Sequence, residues 1–112
     1  MVIKEKTVNG LPILCLNGKL DIFSKNNFRE TAQKYQGSGA KGLILDFEGI
    51  TFVDSVGLGT LTLVVKTFQK LKGRVILVNP QEQVKSMFVE MNVGKIVPMY
   101  KTDESYSQFS AI

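Results

Sequence analysis

The sequence of 112 residues predicts an α/β domain with a mixed sheet of four or five strands that is covered by helices. Short apolar runs, typical of buried strands, alternate with amphipathic segments, typical of helices. An Asn9-Gly10 pair between the first two apolar runs indicates a β-hairpin. Because a hairpin is antiparallel while strands separated by helices are usually parallel, we expect a mixed sheet. We expect residues 1–112 to form one domain.

The first half of the chain is predicted to supply three strands and one helix. Its second strand contains Cys15, which we expect to be buried. Ser24 is expected to cap the helix with its hydroxyl, and the glycines of the stretch 36–39 to end it. The expected elements are strands at 2–8 and 11–17, a helix from 24 to about 35, and a buried parallel strand at 42–46.

The second half is predicted to continue the alternation of helix and strand. Apolar side chains recur every three or four residues after Ser55, which indicates an amphipathic helix. Gly73 and Gly94 are expected to end helices, and Pro80 to begin one. The expected elements are a helix from 55 to about 71 with Leu71 inward, a strand at 74–78, a helix at 81–91 with Met91 inward, a weak strand at 96–97 and a terminal helix over 103–111.

The composition argues against an enzyme. The chain has no histidine and a single cysteine, which removes the usual general base at neutral pH, the commonest metal ligand and any cysteine-rich zinc site. Its glycine spacings match neither the P-loop nor the dinucleotide-binding pattern. We therefore expect no catalytic residues, no bound metal and no cofactor.

Charge and hydropathy predict neither a nucleic-acid nor a membrane partner. The net charge is +4, but the basic residues are scattered instead of being grouped with aromatic side chains on one surface. The N-terminus lacks the apolar segment of a signal peptide, and no apolar run approaches the roughly 20 residues of a membrane span. We expect a cytoplasmic protein.

The most informative segment begins the helix at Ser55 and reads Asp54-Ser55-Val56-Gly57-Leu58-Gly59. A hydroxyl at a helix N-terminus lies where unpaired N–H groups and the helix dipole favour negative charge. It can serve as a simple cap or as an acceptor of phosphate. Two glycines in a first helical turn cost about 1 kcal/mol each relative to alanine, which indicates close approach by another backbone or by a partner.

This segment resembles the Asp-Ser-Ser-Gly-Leu-Gly signature of bacterial anti-sigma factor antagonists, the STAS domains, and Val56 stands where many members have a second serine. Residues 16–21, Leu-Asn-Gly-Lys-Leu-Asp, are similar to the family's Leu-x-Gly-x-Leu-Asp motif. Length and element order agree over nearly the whole chain. The sequence is therefore identified as similar to this family along most of its length.

The resemblance implies a partner switch. The unphosphorylated protein would bind a serine-kinase anti-sigma factor with a histidine-kinase-like ATPase fold, phosphorylation of Ser55 would abolish binding, and a PP2C-type phosphatase would reverse it. Ile22 and Phe23 are apolar where members often carry polar residues, and the free domain is expected to be a monomer. The residues expected to bind the partner are Asp21, Ile22, Phe23, Ser24, Asp54, Ser55, Val56, Gly57, Leu58 and Gly59.

Three alternatives remain at this point. A response-regulator receiver would use Asp46 as its phosphate acceptor, but the first 45 residues lack the adjacent acid pair that such a protein needs. A STAS domain that acts as a signalling scaffold, or as a sensor of a nucleotide or lipid, would present the same surface. An enzyme would have to rely on carboxylates alone.

Overall fold

The computed structural model describes residues 1–37 and 41–109. Its strands are β1 (Val2–Val8), β2 (Leu11–Leu20), β3 (Gly42–Val53), β4 (Arg74–Val78) and β5 (Met99–Tyr100). Its helices are α1 (Lys25–Gln36), α2 (Ser55–Lys70) and α3 (Glu82–Glu90), with a single 3-10 turn at Val93–Lys95. The strands form one sheet in the order β1-β2-β3-β4-β5, in which β1 is antiparallel to β2 and the other pairs are parallel. The predicted mixed α/β sheet is confirmed.

The hairpin between β1 and β2 forms as the sequence predicts. Asn9 and Gly10 both have positive φ angles, 53° and 79°, which a two-residue hairpin turn of the primed type requires. Val8 and Leu11 close the ladder on either side of this turn. The turn therefore sets the register of the antiparallel pair.

All three helices cover one face of the sheet, which we call the helix face. Alternate side chains of a strand point to opposite faces, so Leu14, Leu45 and Leu77 pack against the helices. Each helix packs its apolar side against these strands. These buried helical residues are Phe28 and Ala32 of α1, Leu61, Val64, Val65 and Phe68 of α2, and Val84 and Phe88 of α3.

The opposite face, which we call the second face, is covered by a segment without helix or strand. This C-terminal segment, residues 101–109, places Tyr106 and Phe109 against Ile13, Ile44 and Ile76 of the sheet. Cys15 lies at the edge of the same cluster and is only half-buried, which differs from the buried position that the sequence predicts. The sheet is thus buried on both sides by unlike structures.

The predicted terminal helix over 103–111 is wrong for the part that the structure describes. Residues 103–109 form successive turns, with Tyr106 N–H donating to the Asp103 carbonyl at 3.3 Å and Phe109 N–H to the Tyr106 carbonyl at 3.0 Å. Tyr106 has a φ of 49°, which interrupts a helix. Residues 110 and 111 lie outside the described residues.

The predicted strand at 96–97 is also wrong, because the last strand lies at Met99–Tyr100. Ile96 follows the 3-10 turn, and Val97 is buried in the helix-face core. The ladder to β4 begins only at the Pro98 carbonyl, which accepts from Leu77 N–H at 3.0 Å. The apolar pair Ile96-Val97 therefore packs in the helix-face core and does not form a strand.

The second and third strands are longer than predicted. β2 continues to Leu20 and β3 to Val53, and the two remain paired beyond Asp46, the last β3 residue that pairs with β4. This extension has β2 on one side only and contains both buried and exposed residues, so it lacks the continuous apolar run that marks a buried strand. α2 begins two residues after the end of this extension.

Two predicted inward residues lie just after the ends of their helices. Leu71 follows α2 and Met91 follows α3, and both side chains are exposed. Helical periodicity no longer holds once the helix has ended. A periodic pattern that is extended one residue too far therefore assigns that residue to the buried side when it is exposed. The stretch 36–39 contains the end of α1 at Gln36, and residues 38 and 39 lie outside the described ranges.

Candidate functional site

Ser55 is the first residue of α2, and its side chain is exposed. Within residues 1–37 and 41–109 its hydroxyl makes no hydrogen bond, and the backbone N–H groups of Ser55 and Val56 have no acceptor. Helix N-termini leave such donors free, and the helix dipole adds positive potential there. The hydroxyl is thus accessible and lies where an anion is favoured.

Asp54, not Ser55, caps this helix. One carboxylate oxygen of Asp54 accepts from Gly57 N–H at 2.7 Å, and the other accepts from Ile22 N–H at 3.1 Å. The sequence allows the Ser55 hydroxyl to be a simple cap, whereas the structure assigns the cap to the Asp54 carboxylate. One side chain therefore connects the start of α2 to the loop that follows β2, and it leaves the Ser55 hydroxyl unused.

The loop after β2, residues 21–24, is held by hydrogen bonds of its own. One carboxylate oxygen of Asp21 accepts from Phe23 N–H at 3.0 Å and from Ser24 N–H at 3.1 Å. The Ser24 hydroxyl accepts from Asp21 N–H at 3.0 Å and donates to the Lys19 carbonyl at 2.6 Å. The backbone of this loop is therefore well ordered before any partner arrives.

The predicted hydroxyl cap at Ser24 is wrong. Ser24 occupies the N-cap position of α1, but its side chain makes no capping hydrogen bond. Its hydroxyl turns back toward β2 instead, and the residue is buried. Its role in contacting a partner stays a prediction, although its own side chain is buried.

Two apolar side chains project from this loop. Ile22 is 52% exposed and Phe23 is 93% exposed, although the backbone N–H groups of both are bonded to carboxylates. We call these two residues the Ile22-Phe23 patch. An aromatic ring that is held on an ordered backbone and contacts little of its own molecule is the kind of side chain that anchors protein interfaces.

The two glycines of the first turn of α2 have different environments. A Cβ on Gly57 would overlap the carbonyl oxygen of Leu20, whereas a Cβ on Gly59 would meet nothing within 4 Å. The Leu20 carbonyl also accepts from Asp54 N–H at 3.2 Å. Gly57 is therefore required for packing of the helix on the end of β2. The bare backbone at Gly59 is exposed, and Val56 and Leu58 are half-buried.

The structure brings the two predicted groups together. Residues 21–24 follow β2 and residues 54–59 follow β3, and these neighbouring parallel strands end side by side. The sequence motifs do not reveal the backbone partners of the site, the Lys19 and Leu20 carbonyls. Every residue has a backbone carbonyl, so no sequence pattern can identify which carbonyls take part in the site.

Asp46 lies apart from this site, on the second face. It is 8% exposed and accepts from the Tyr106 hydroxyl at 2.7 Å and from Glu48 N–H at 2.9 Å. The Cys15 sulfur lies 3.7 Å from the same hydroxyl. A receiver needs a phosphate acceptor that is open to solvent, and a largely buried carboxylate that is bonded to the Tyr106 hydroxyl does not fit this alternative.

In the part of the chain that the structure describes, no cluster of three or more His, Cys, Asp or Glu side chains is suited to hold a metal ion. Among the same residues, no helix has both the length and the apolar character that a bilayer crossing needs.

Comparison with known proteins identifies the class. The family model of the STAS domain matches residues 3–105, so the chain belongs to the STAS domain family. The TM1081 homolog of Thermotoga neapolitana, whose name assigns it to the anti-sigma factor antagonists, is 26% identical over 98 residues, covering 87% of this chain and 87% of that protein.

Solved structures agree with this fold. The crystal structure of TM1081 from Thermotoga maritima has a TM-score of 0.85 at 24% identity and covers 95% of this chain and 92% of that one. The anti-sigma factor antagonist SpoIIAA in its unphosphorylated form has a TM-score of 0.79 at 23% identity, covering 96% and 93% of the two chains. Its phosphorylated form, from Bacillus, has a TM-score of 0.74 at 23% identity and covers 96% of both.

Proposed function

We propose that this chain is the antagonist of a partner switch. In its unphosphorylated form it binds a serine-kinase anti-sigma factor, and phosphorylation of Ser55 abolishes binding. The observation that carries the proposal is the geometry of Ser55, an exposed and unbonded hydroxyl at the start of α2, next to the ordered loop with the Ile22-Phe23 patch. Membership of the STAS family and the similarity to SpoIIAA, which is known in both phosphorylation states, support it.

The proposed docking surface combines residues 21–24 with residues 54–59. Phe23 is its apolar anchor, because 93% of its surface is free to be buried by a partner. Its backbone is already fixed by Asp21, so docking would order little more than the side chain, and the entropic cost of binding stays small. Asp21 acts by holding this loop in shape.

Phosphate on Ser55 would act through charge. It adds roughly −1.5 to −2 charges at pH 7. The free N–H groups of Ser55 and Val56 can donate hydrogen bonds to the phosphate oxygens, so the modified domain stays folded. Docking, however, would bury the phosphate next to the Asp54 carboxylate, and two adjacent negative charges in a dry interface are costly. Binding is therefore lost without a large rearrangement of the domain.

Asp54 also links Ser55 to the Ile22-Phe23 patch. Its carboxylate accepts from Ile22 N–H at 3.1 Å, and a phosphate on the adjacent residue repels that carboxylate. Weakening this bond would loosen the loop that presents Phe23. The phosphate would then oppose docking in two ways, by its own charge and by a local shift of Ile22, while Asp21 still holds the backbone of Phe23.

The proposal extends to the partners that the family resemblance implies. The kinase is an anti-sigma factor with a histidine-kinase-like ATPase fold, and a PP2C-type phosphatase removes the phosphate. The domain itself has no catalytic role and acts in the cytoplasm as a monomer when free.

The first test is phosphorylation. The protein is incubated with ATP and each serine-kinase-like ATPase of the same genome, and its intact mass is measured. We expect one added phosphate on the wild type and none on Ser55→Ala. Ser86→Ala is the matched control, because Ser86 is exposed on α3 and far along the chain from the site. Phosphate on Ser55→Ala, or none on any protein from kinases that are active on other substrates, would contradict the proposal.

The second test measures affinity for the kinase that phosphorylates the protein. By calorimetry we expect Ser55→Ala to bind as the wild type does, Ser55→Asp to lose binding, and Phe23→Ser to bind at least about tenfold more weakly because the anchor is gone. Asp21→Asn should weaken binding with little change in melting temperature. Equal affinities of Ser55→Ala and Ser55→Asp would contradict the charge mechanism.

A further inference from the structure

The second face carries a cavity that the proposed partner switch does not use. Its volume is about 640 Å³, and it lies beside the end of β4, between the sheet and residues 101–106 of the C-terminal segment. Cys15 and Asp46 of two neighbouring strands line it, and so does Tyr106. Cavities of roughly 300–1,000 Å³ are typical of sites for small organic ligands, and in α/β sheets such sites favour the carboxyl ends of strands.

Asp46 is the unusual residue of this cavity. It is 8% exposed, and its carboxylate has two hydrogen bonds, from the Tyr106 hydroxyl and from Glu48 N–H. In residues 1–37 and 41–109, no lysine or arginine nitrogen lies within 4.0 Å of it, since the ion pair found there joins Lys34 to Glu5. Buried carboxylates are rarely left without a cation, because neutral donors compensate only part of the charge.

The charge around the cavity is opposite in sign to that of the protein. The whole chain has a net charge of +4. The lining nevertheless contains two lysines against four acidic residues. The basic residues are Lys6 and Lys101, and the acidic ones are Asp46, Glu48, Asp103 and Glu104. A cavity with this balance attracts positively charged ligands and repels anions.

Two further residues of the lining bear on the choice of ligand. The Lys6 ammonium lies 4.7 Å from the centre of the Tyr106 ring, so a ligand ammonium beside this ring would share it with an ammonium group of the chain itself. The hydroxyl oxygen of Thr102 is buried and has no hydrogen-bond partner among the described residues. An unpaired buried hydroxyl costs free energy, which favours some adjustment of the C-terminal segment when a ligand enters.

We propose that this cavity binds a small aliphatic diamine or polyamine. One ammonium group pairs with the buried Asp46 carboxylate beside the Tyr106 ring, and a second pairs with the exposed carboxylates of Glu48 and Glu104 at the mouth. A metal ion fits less well, because no three ligating side chains converge in the described part of the chain. The site is separate from Ser55 and does not depend on the partner switch.

The experiment is a titration of the full chain, residues 1–112, with putrescine, followed by amide chemical shifts. Succinate at the same ionic strength is the matched control ligand, of similar length and opposite charge. We expect putrescine to shift the amides of Asp46, Glu48, Thr102 and Tyr106 at about millimolar concentration or below, and succinate to shift none of them. The amides of Ile22 and Ser55 should stay unchanged.

Variants identify the residue responsible. Asp46→Asn keeps an acceptor for the Tyr106 hydroxyl and removes the charge, so putrescine affinity should fall at least about tenfold. Glu30→Gln, on the exposed surface of α1, should bind as the wild type does. Because Asp46→Asn can weaken the fold, the exposed pair Glu48→Gln and Glu104→Gln provides a second measure and should lower affinity several-fold.

Three outcomes would overturn the proposal. Putrescine could produce no shifts at millimolar concentration, it could shift amides elsewhere no differently from succinate, or a folded Asp46→Asn could bind it as tightly as the wild type.

Discussion

The two faces of the sheet are buried by different means. On the helix face, three helices cover the strands with periodic stripes of Leu, Val and Phe. On the second face, a segment of turns does so with two aromatic rings, Tyr106 and Phe109. Apolar residues form the core of the helix face, whereas the second face contains a buried carboxylate and a cavity.

The difference shows how one sheet supports both rigidity and accessible sites. Helices bury a broad stripe that depends on many residues at once, so their position is strongly determined. An irregular segment depends on a few anchors and the turns between them, so it leaves space beside the sheet. We therefore expect the helix face to dominate stability and the second face to tolerate change, and four measurements test this contrast.

The largest expected effect is the loss of a buried aromatic ring from the helix face. Phe68→Ala should lower the free energy of unfolding by about 3–5 kcal/mol, because it leaves a cavity among residues that cannot close it. Phe109→Ala, near the chain end, should lower it by only about 1–2 kcal/mol, because the C-terminal segment can rearrange. Urea denaturation followed by circular dichroism measures both. Equal losses would mean that the two faces are equally rigid.

The next effect distinguishes the two glycines at the start of α2. Gly57→Ala should lower the free energy of unfolding by about 1–3 kcal/mol, since the new methyl group overlaps the Leu20 carbonyl. Gly59→Ala has open space and should raise it by up to about 1 kcal/mol through helix propensity. The same denaturation curves test this pair, and a stable Gly57→Ala would show that α2 can move away from β2.

A smaller effect concerns Tyr106 on the second face. Tyr106→Phe removes the hydrogen bond to Asp46 and should lower the free energy of unfolding by about 1–2 kcal/mol. Burial, and then the hydrogen bond to Asp46, raise the pKa of Tyr106 far above its ordinary value of 10.0.

The same tyrosine makes stability depend on alkaline pH. The folded chain favours the neutral phenol, so the stabilisation is complete below about pH 10 and is lost as pH rises above it. Tyr106→Phe should therefore lose less stability than the wild type does between neutral pH and about pH 11. Parallel curves for the two proteins over that range would show that the phenol ionises freely in the folded state.

The smallest effect is expected at the edge of the helix face, where the Lys34 ammonium of α1 lies 2.8 Å from the Glu5 carboxylate of β1. Hydrogen bonds from Lys34 and then from Tyr35 lower the pKa of Glu5, so the contribution is present above about pH 4.5 and declines as pH falls. Because the pair is solvent-exposed, Glu5→Gln should change the free energy of unfolding by less than about 1 kcal/mol, and a larger loss would indicate a rigid connection between β1 and α1.

The accuracy of prediction from the sequence also differed between the helix face and the second face. The helix face was predictable, since an amphipathic helix and a buried strand each have a period that short windows reveal, as in α2 and β4. The C-terminal segment was not, because turns held by Tyr106 and Phe109 have no period, and the polar and aromatic residues around them suit a helix equally well. The predicted inward positions of Leu71 and Met91 were wrong because each residue follows the end of its helix, where the helical period no longer applies.

For the proposed docking site, the motif at residues 54–59 identified the region but not the structural role of each residue. Asp54 makes a capping hydrogen bond, whereas Ser24 does not make the one predicted for it. The carboxylate of Asp54 caps α2, while the Ser24 hydroxyl bonds to a strand carbonyl and leaves α1 without a side-chain cap. A hydroxyl and a carboxylate can each bond to several backbone groups, and geometry alone selects among them.

The sequence by itself determined the alternation of strands and helices, the hairpin at Asn9-Gly10 and the family to which the chain belongs. These depend on local patterns that a few consecutive residues carry. Only the tertiary structure decided which groups meet across the chain: Ile22 with Asp54, which are 32 positions apart, and Tyr106 with Asp46, which are 60 apart. Such contacts depend on how β2, β3 and the C-terminal segment pack, because hydrogen bonds form between neighbours in space and not between neighbours in sequence.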